Sequence, residues 1–155
     1  MEGAGEQRTK LLKIILYGVE KALWDALGKS SLAFAPFIGE TIYEEMQDVL
    51  GKNIETSSLD ELLEAAGSFY VDKLGFSKSF NVEKGDGFFS LEVRGCSLLD
   101  VEKKLLENGV TPFICPLMNS VAYLVRKKMG VKSKIKEINV DPEKGVCKLS
   151  FEIIK

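Results

Sequence analysis

Cys96, Cys115 and Cys147 are the only thiol and soft-ligand candidates in a chain of 155 residues that contains no histidine. Without imidazole there is no Ser-His or Cys-His nucleophile pair and no zinc site with a histidine ligand. No side chain has an unperturbed pKa near neutrality, so acid–base catalysis would need a strongly shifted Glu, Asp, Lys or Cys. Most hydrolase templates fall away, and a binding role gains weight. The three cysteines lie after a strand pattern, just before a helix start and inside the last strand. A tetrahedral thiolate site needs ligands converging from rigid elements, with a carboxylate or water as the fourth. No Cys-x-x-Cys pair is present, and Cys147 shares its alternation with Leu149 and Phe151, as a small core residue would. Cys115 precedes the helix opened by Pro116, so its thiol is expected to have a lowered pKa and to be reactive.

A second group of residues could hold a ligand by apolar contact. Trp24, Phe34, Phe37, Phe69, Tyr70 and Phe88 are the candidate lining of a pocket between helices and sheet, and ordinary core is the competing reading for each. The case is best around Leu32-Ala33-Phe34-Ala35-Pro36-Phe37-Ile38, a segment too apolar to stay in water. Core, a partner subunit or a ligand must cover it. The basic run Arg126, Lys127, Lys128, Lys132, Lys134 and Lys136 is an anion-patch candidate. It has no interleaved aromatics, so a solvated face that also complements a helix C-terminus is the preferred reading. Gly85-Asp86-Gly87 joins two strands instead of opening a helix, which rules out a phosphate loop.

The elements that must position these residues come as a repeated unit, a helix closed by Gly followed by a hairpin. Gly75 closes the first helix, and Gly130 the second. The hairpins match at one constant offset, with Asn81 over Asn139, Gly87 over Gly145 and Leu91 over Leu149. Phe89, Leu91 and Val93 share one face of a strand; Cys147, Leu149 and Phe151 share one face of another. Upstream, Leu12, Leu16, Val19, Leu23 and Leu27 have helical spacing over 7–27, with Gly28 at the C′ position. Pro36 opens a second helix running to Leu50 and stopped by Gly51. Ser58-Leu59-Asp60-Glu61 has the form of a capping box, and Ser97 is the expected cap of a short helix over 98–106. Helices and antiparallel hairpins in blocks define an α+β protein. The expectation is a four-stranded antiparallel sheet made of two hairpins, with about five helices mainly on one face. Residues 1–9 are read as a flexible N-terminus and 10–155 as a single ligand-binding-type domain.

The composition is globular, 45% apolar and 28% charged. A net charge of −2 gives no overall attraction to nucleic acid. No apolar run reaches the ~18 residues of a membrane span, and the N-terminus lacks a basic n-region, so the expected location is cytoplasmic. An odd number of Cys speaks against a disulfide framework.

Pro112-Phe113-Ile114-Cys115-Pro116, the helix down to Met129-Gly130 and the strand bearing Cys147 resemble the 4-vinyl reductase-like domain. The architecture is similar to that of the TRAPP vesicle-tethering subunits. The first resemblance implies binding of a small hydrocarbon-like molecule, and a thiophilic metal such as zinc held by Cys96, Cys115 and Cys147. One departure is local: where that family tends to show Glu-x-x-Cys, Glu137 is followed at that spacing by Val140, so a ligand is missing. The reading is a non-catalytic domain that binds or senses an apolar small molecule, likewise consistent with a homodimer. The alternatives are a homodimeric assembly module of the TRAPP type and, third, a cysteine- or metal-dependent reductase.

Overall fold

The computed structural model describes residues 3–46 and 58–154. The Gly51 helix stop and the stretch 47–50 lie outside the described residues. Four strands form one antiparallel sheet: β1 (Ser79–Gly85), β2 (Phe88–Arg94), β3 (Lys132–Asp141) and β4 (Val146–Ile154), in the order β1-β2-β4-β3. Each hairpin turns at a glycine with positive φ, Gly87 (75°) and Gly145 (67°), a conformation that L side chains resist. The hairpins join through β2 and β4, where Leu91 faces Leu149, flanked by Phe89 on Phe151 and Val93 on Cys147. Leu91 therefore meets its own counterpart, Leu149, and the pairs Phe89/Phe151 and Val93/Cys147 lie symmetrically about that local two-fold. The Phe89 and Phe151 rings stack there at 4.7 Å.

Five α-helices are present among the described residues: α1 (Ala4–Leu27), α2 (Ala35–Glu45), α3 (Leu59–Ser68), α4 (Leu99–Glu107) and α5 (Pro116–Met129). Leu62, Leu63 and Ala66 of α3, with Leu117, Met118, Val121, Leu124 and Val125 of α5, bury the apolar sheet face. Pro116 starts α5, whose C-terminus is closed by Gly130 in the left-handed conformation. Helix α2 lies so close to α5 that a Cβ at Gly39 would sit 1.9 Å from the Asn119 carbonyl oxygen. Only glycine permits that approach.

Some local expectations change. Helix α1 begins at Ala4, ahead of the predicted start at Gln7. The helix expected to continue from α3 to Gly75 passes into a π-helical turn over Phe69–Lys73. Ser97 does not cap α4, because its hydroxyl donates to the Phe76 carbonyl (2.7 Å) and Leu98 takes the cap position. The apolar stripe of α1 meets only a small second cluster, where Leu16, Tyr17 and Trp24 pack on Val101, Leu105 and Val110. With nothing among the described residues opposite them, Leu11, Leu12, Ile14, Ile15 and Val19 remain exposed.

Candidate functional site

Two places gather the residues with chemical potential. The first is a narrow gap between β2, β4, α4 and the start of α5. It is lined by Cys96, Cys115, Cys147 and Glu102, with Phe76, Val93, Leu117 and Leu149, and has no room for a water molecule. The three cysteines, dispersed in sequence, thus meet in space. All are free and buried. Burial pushes the Cys96 thiol up to about 12 and holds Cys115 and Cys147 well above the ordinary thiol range, with the Glu102 carboxylate adding to each. The expectation of a reactive Cys115 is therefore corrected. Desolvation outweighs the helix N-terminus, and the thiol stays protonated.

Glu102 was missed by the reading of the sequence. It is 4% exposed, and burial raises its carboxyl from 4.5 to about 7, with the Cys147 thiol opposing that rise. Its Oε2 has no hydrogen-bond partner among the described residues. The sequence does carry a signal, since Leu98, Glu102 and Leu105 follow helical spacing and place a carboxylate on an apolar stripe. Glu20 repeats the pattern between Leu16 and Trp24. It is 1% exposed and accepts from the amides of Phe113 (2.6 Å) and Ile114 (2.8 Å). Burial lifts it to about 7 as well, against those two amides. Glu20 therefore fixes the segment that carries Cys115. From the other side, the Tyr70 hydroxyl donates to the Pro116 carbonyl (3.0 Å) and shares a hydrogen bond with Ser120 (2.7 Å). Three thiols and a carboxylate are donor types that suit zinc. Among the described residues, however, no three or more Cys, Asp or Glu side chains stand in metal-holding geometry.

The second place is a cleft of about 530 Å³ at the β3 edge of the sheet. One wall is the 3-10 helical segment Gly28–Phe34 and the start of α2; the other is α5 with the ends of β3 and β4. Leu32, Ala33, Pro36, Ala122, Ile135 and Ile154 make it apolar, and Lys29, Arg126, Lys132 and Lys134 supply its charges among the described residues. Pro36 and Arg126 also line an adjoining cleft with Phe37, Glu40, Tyr123 and Lys127. The apolar 32–38 segment thus borders open space, and Phe37 is 63% exposed.

The six aromatic candidates are not brought together. Phe69 and Tyr70 belong to the sheet–helix core. Trp24 stacks on Phe113 at 6.5 Å under α1. Phe34 and Phe88 are exposed at separate places, and Phe37 alone lines a cleft. The residues that do line the main cleft come from distant segments and include half of the basic run.

Comparison with known proteins gives a family and a fold. The family model described as "Putative rubredoxin C-terminal domain" matches residues 12–153. The chain belongs to that family. It is 27% identical to a "Putative rubredoxin" of Methanothermobacter thermautotrophicus over 125 residues, 81% of this chain and 63% of the relative. The chain thus spans less than two thirds of that relative's length. An uncharacterized protein of Methanocaldococcus jannaschii is 23% identical over 138 residues, covering 89% of this chain and 83% of its own. Among solved structures, the phenol-responsive sensory domain of the transcription activator PoxR, with phenol, shares the fold. Its TM-score is 0.56 at 15% identity, over 90% of this chain and 73% of that domain. The family's description differs from the 4-vinyl reductase-like one that the cysteine-bearing segments resemble. No helix among the described residues is long and apolar enough to cross a membrane.

Proposed function

We propose that this domain binds and senses an apolar small molecule, and that the cleft at the β3 edge is where it does so. The observation that carries the reading is the cleft itself. About 530 Å³ is the size that encloses a drug-sized ligand, and apolar walls with a few polar groups are the usual lining. The fold shared with a phenol sensory domain supports the same role. The neutral dye Nile red tests it: wild-type protein brightens the dye, and Ala33→Trp, which fills the cleft from an exposed lining position, abolishes the signal at unchanged melting temperature. Equal signals from both proteins would overturn it.

The gap beneath α4 does not favour the metal role that the resemblance implies, because Cys96, Cys115, Cys147 and Glu102 leave no room for a water molecule and, among the described residues, stand in no metal-holding geometry. Elemental analysis of protein purified with added zinc is expected to give far less than one metal per chain, and near-stoichiometric zinc would overturn that expectation. The assembly alternative rests on the exposed α1 stripe, which a second copy would bury. Ile15→Glu would then convert a dimer to a monomer in sedimentation, whereas a wild-type monomer would remove this alternative.

A further inference from the structure

We infer that the ligand of the cleft is an amphipathic anion, a molecule with an apolar body and one carboxylate-type head. The inference rests on the cleft being the ligand site and adds the chemistry of the ligand. The chain as a whole is slightly acidic, with net charge −2, yet among the described residues every charged one lining the cleft is a cation. Lys29 reaches it from the 3-10 segment, Arg126 from α5, and Lys132 and Lys134 from β3, so three separate elements place positive charge at one opening. None of the four is in a salt bridge with any described residue. Glu152 stands opposite Lys134 in the strand register but neither lines the cleft nor pairs with it.

The helix C-terminus explains Arg126 alone, because Lys29, Lys132 and Lys134 are not on α5. An apolar floor under a rim whose charged residues, among those described, are all cations distinguishes the ends of a ligand. The hydrocarbon part lies against Leu32, Ala33, Pro36 and Ala122, and the head meets the cations.

Two pairs of probes separate this inference from the reading it rests on: dodecanoate against dodecanol, and a naphthoate against the matching naphthyl alcohol, each titrated by calorimetry. Both anions are expected to bind about tenfold or more tightly than their alcohols, the scale of a charge-assisted hydrogen bond. Lys29→Gln combined with Arg126→Gln, both at exposed positions, should cost the anions roughly tenfold and leave the alcohols unchanged. Ala33→Trp should abolish all binding. Alcohols binding as tightly as anions would overturn the anion inference while leaving the cleft as the site. Anion binding that survives both the double variant and Ala33→Trp would overturn it too, since the anion would then sit elsewhere. No binding of any probe would overturn the cleft reading together with it.

Discussion

The cysteine gap and the β3-edge cleft are built from opposite materials. The gap is closed, lined by protonated thiols and an uncharged-leaning carboxylate, and locked by Glu20 below and Tyr70 above. The cleft is open, lined by cations over an apolar floor, and one of its walls is the 3-10 segment Gly28–Phe34 with the start of α2. A site made of buried titratable groups is coupled to folding, because each group pays desolvation in one protonation state. A site made of exposed cations is nearly free of that coupling. Substitutions at the edge are therefore expected to leave the core undisturbed.

The largest effect should come from cutting the core that separates the two sites. Phe89→Ala removes one ring of the stacked pair at the local two-fold and should cost ~3–5 kcal/mol in denaturant unfolding. A loss below 1 kcal/mol would mean that the sheet face is not the packed wall described here.

The next effect is a pH dependence that belongs to the gap. The Glu102 carboxyl lies at about 7 in the folded chain against 4.5 ordinarily, so the folded state holds the proton more tightly. Its stabilising contribution is full below about 4.5 and is lost as pH rises to about 7; Glu20 acts in the same direction. For Glu102 alone the ceiling is roughly 3 kcal/mol at ~1.36 kcal/mol per unit. Stability should fall across that window, and Glu102→Gln should remove a large part of the fall. Stability rising with pH there would break the contrast between the sites.

Between gap and cleft stands the α2–α5 contact. Gly39→Ala drives a methyl into the Asn119 carbonyl, and overpacking of this kind should cost roughly 1–3 kcal/mol and weaken Nile red binding as α2 moves. A neutral substitution would mean that α2 is not held against α5 as described.

What the sequence disclosed follows from how locally each feature is encoded. The sheet was legible because alternation and the Gly87/Gly145 turn are properties of neighbouring residues. That the hairpins join through β2 and β4 with Leu91 facing Leu149 is not encoded locally, because two hairpins can meet at any of their edges. Glu20 and Glu102 were passed over because a carboxylate is ordinarily read as solvent-facing, although both sit on apolar helical stripes. The cleft was least visible. It joins Lys29 to Arg126 and Ser133 to Ala33 across most of the chain, and no local pattern records that meeting. The stripe of α1 was read correctly as helical, but spacing cannot say what, if anything, covers it.

The smallest effect separates the aromatic candidates. Phe37→Ala should change stability by only about 0.5 kcal/mol, as expected of an exposed side chain, against the core-sized loss at Phe89. A core-sized loss at Phe37 would mean that the 32–38 segment is packed and not a cleft wall.

The most direct test of the central claim is an amide NMR titration of the full chain with dodecanoate. The account predicts saturable shifts centred on Ala33, Ala122, Ser133 and Ile154, with the amides of Cys96, Cys115 and Leu149 unmoved. Shifts centred on the cysteine gap or on the α1 stripe, or none at all, would contradict it.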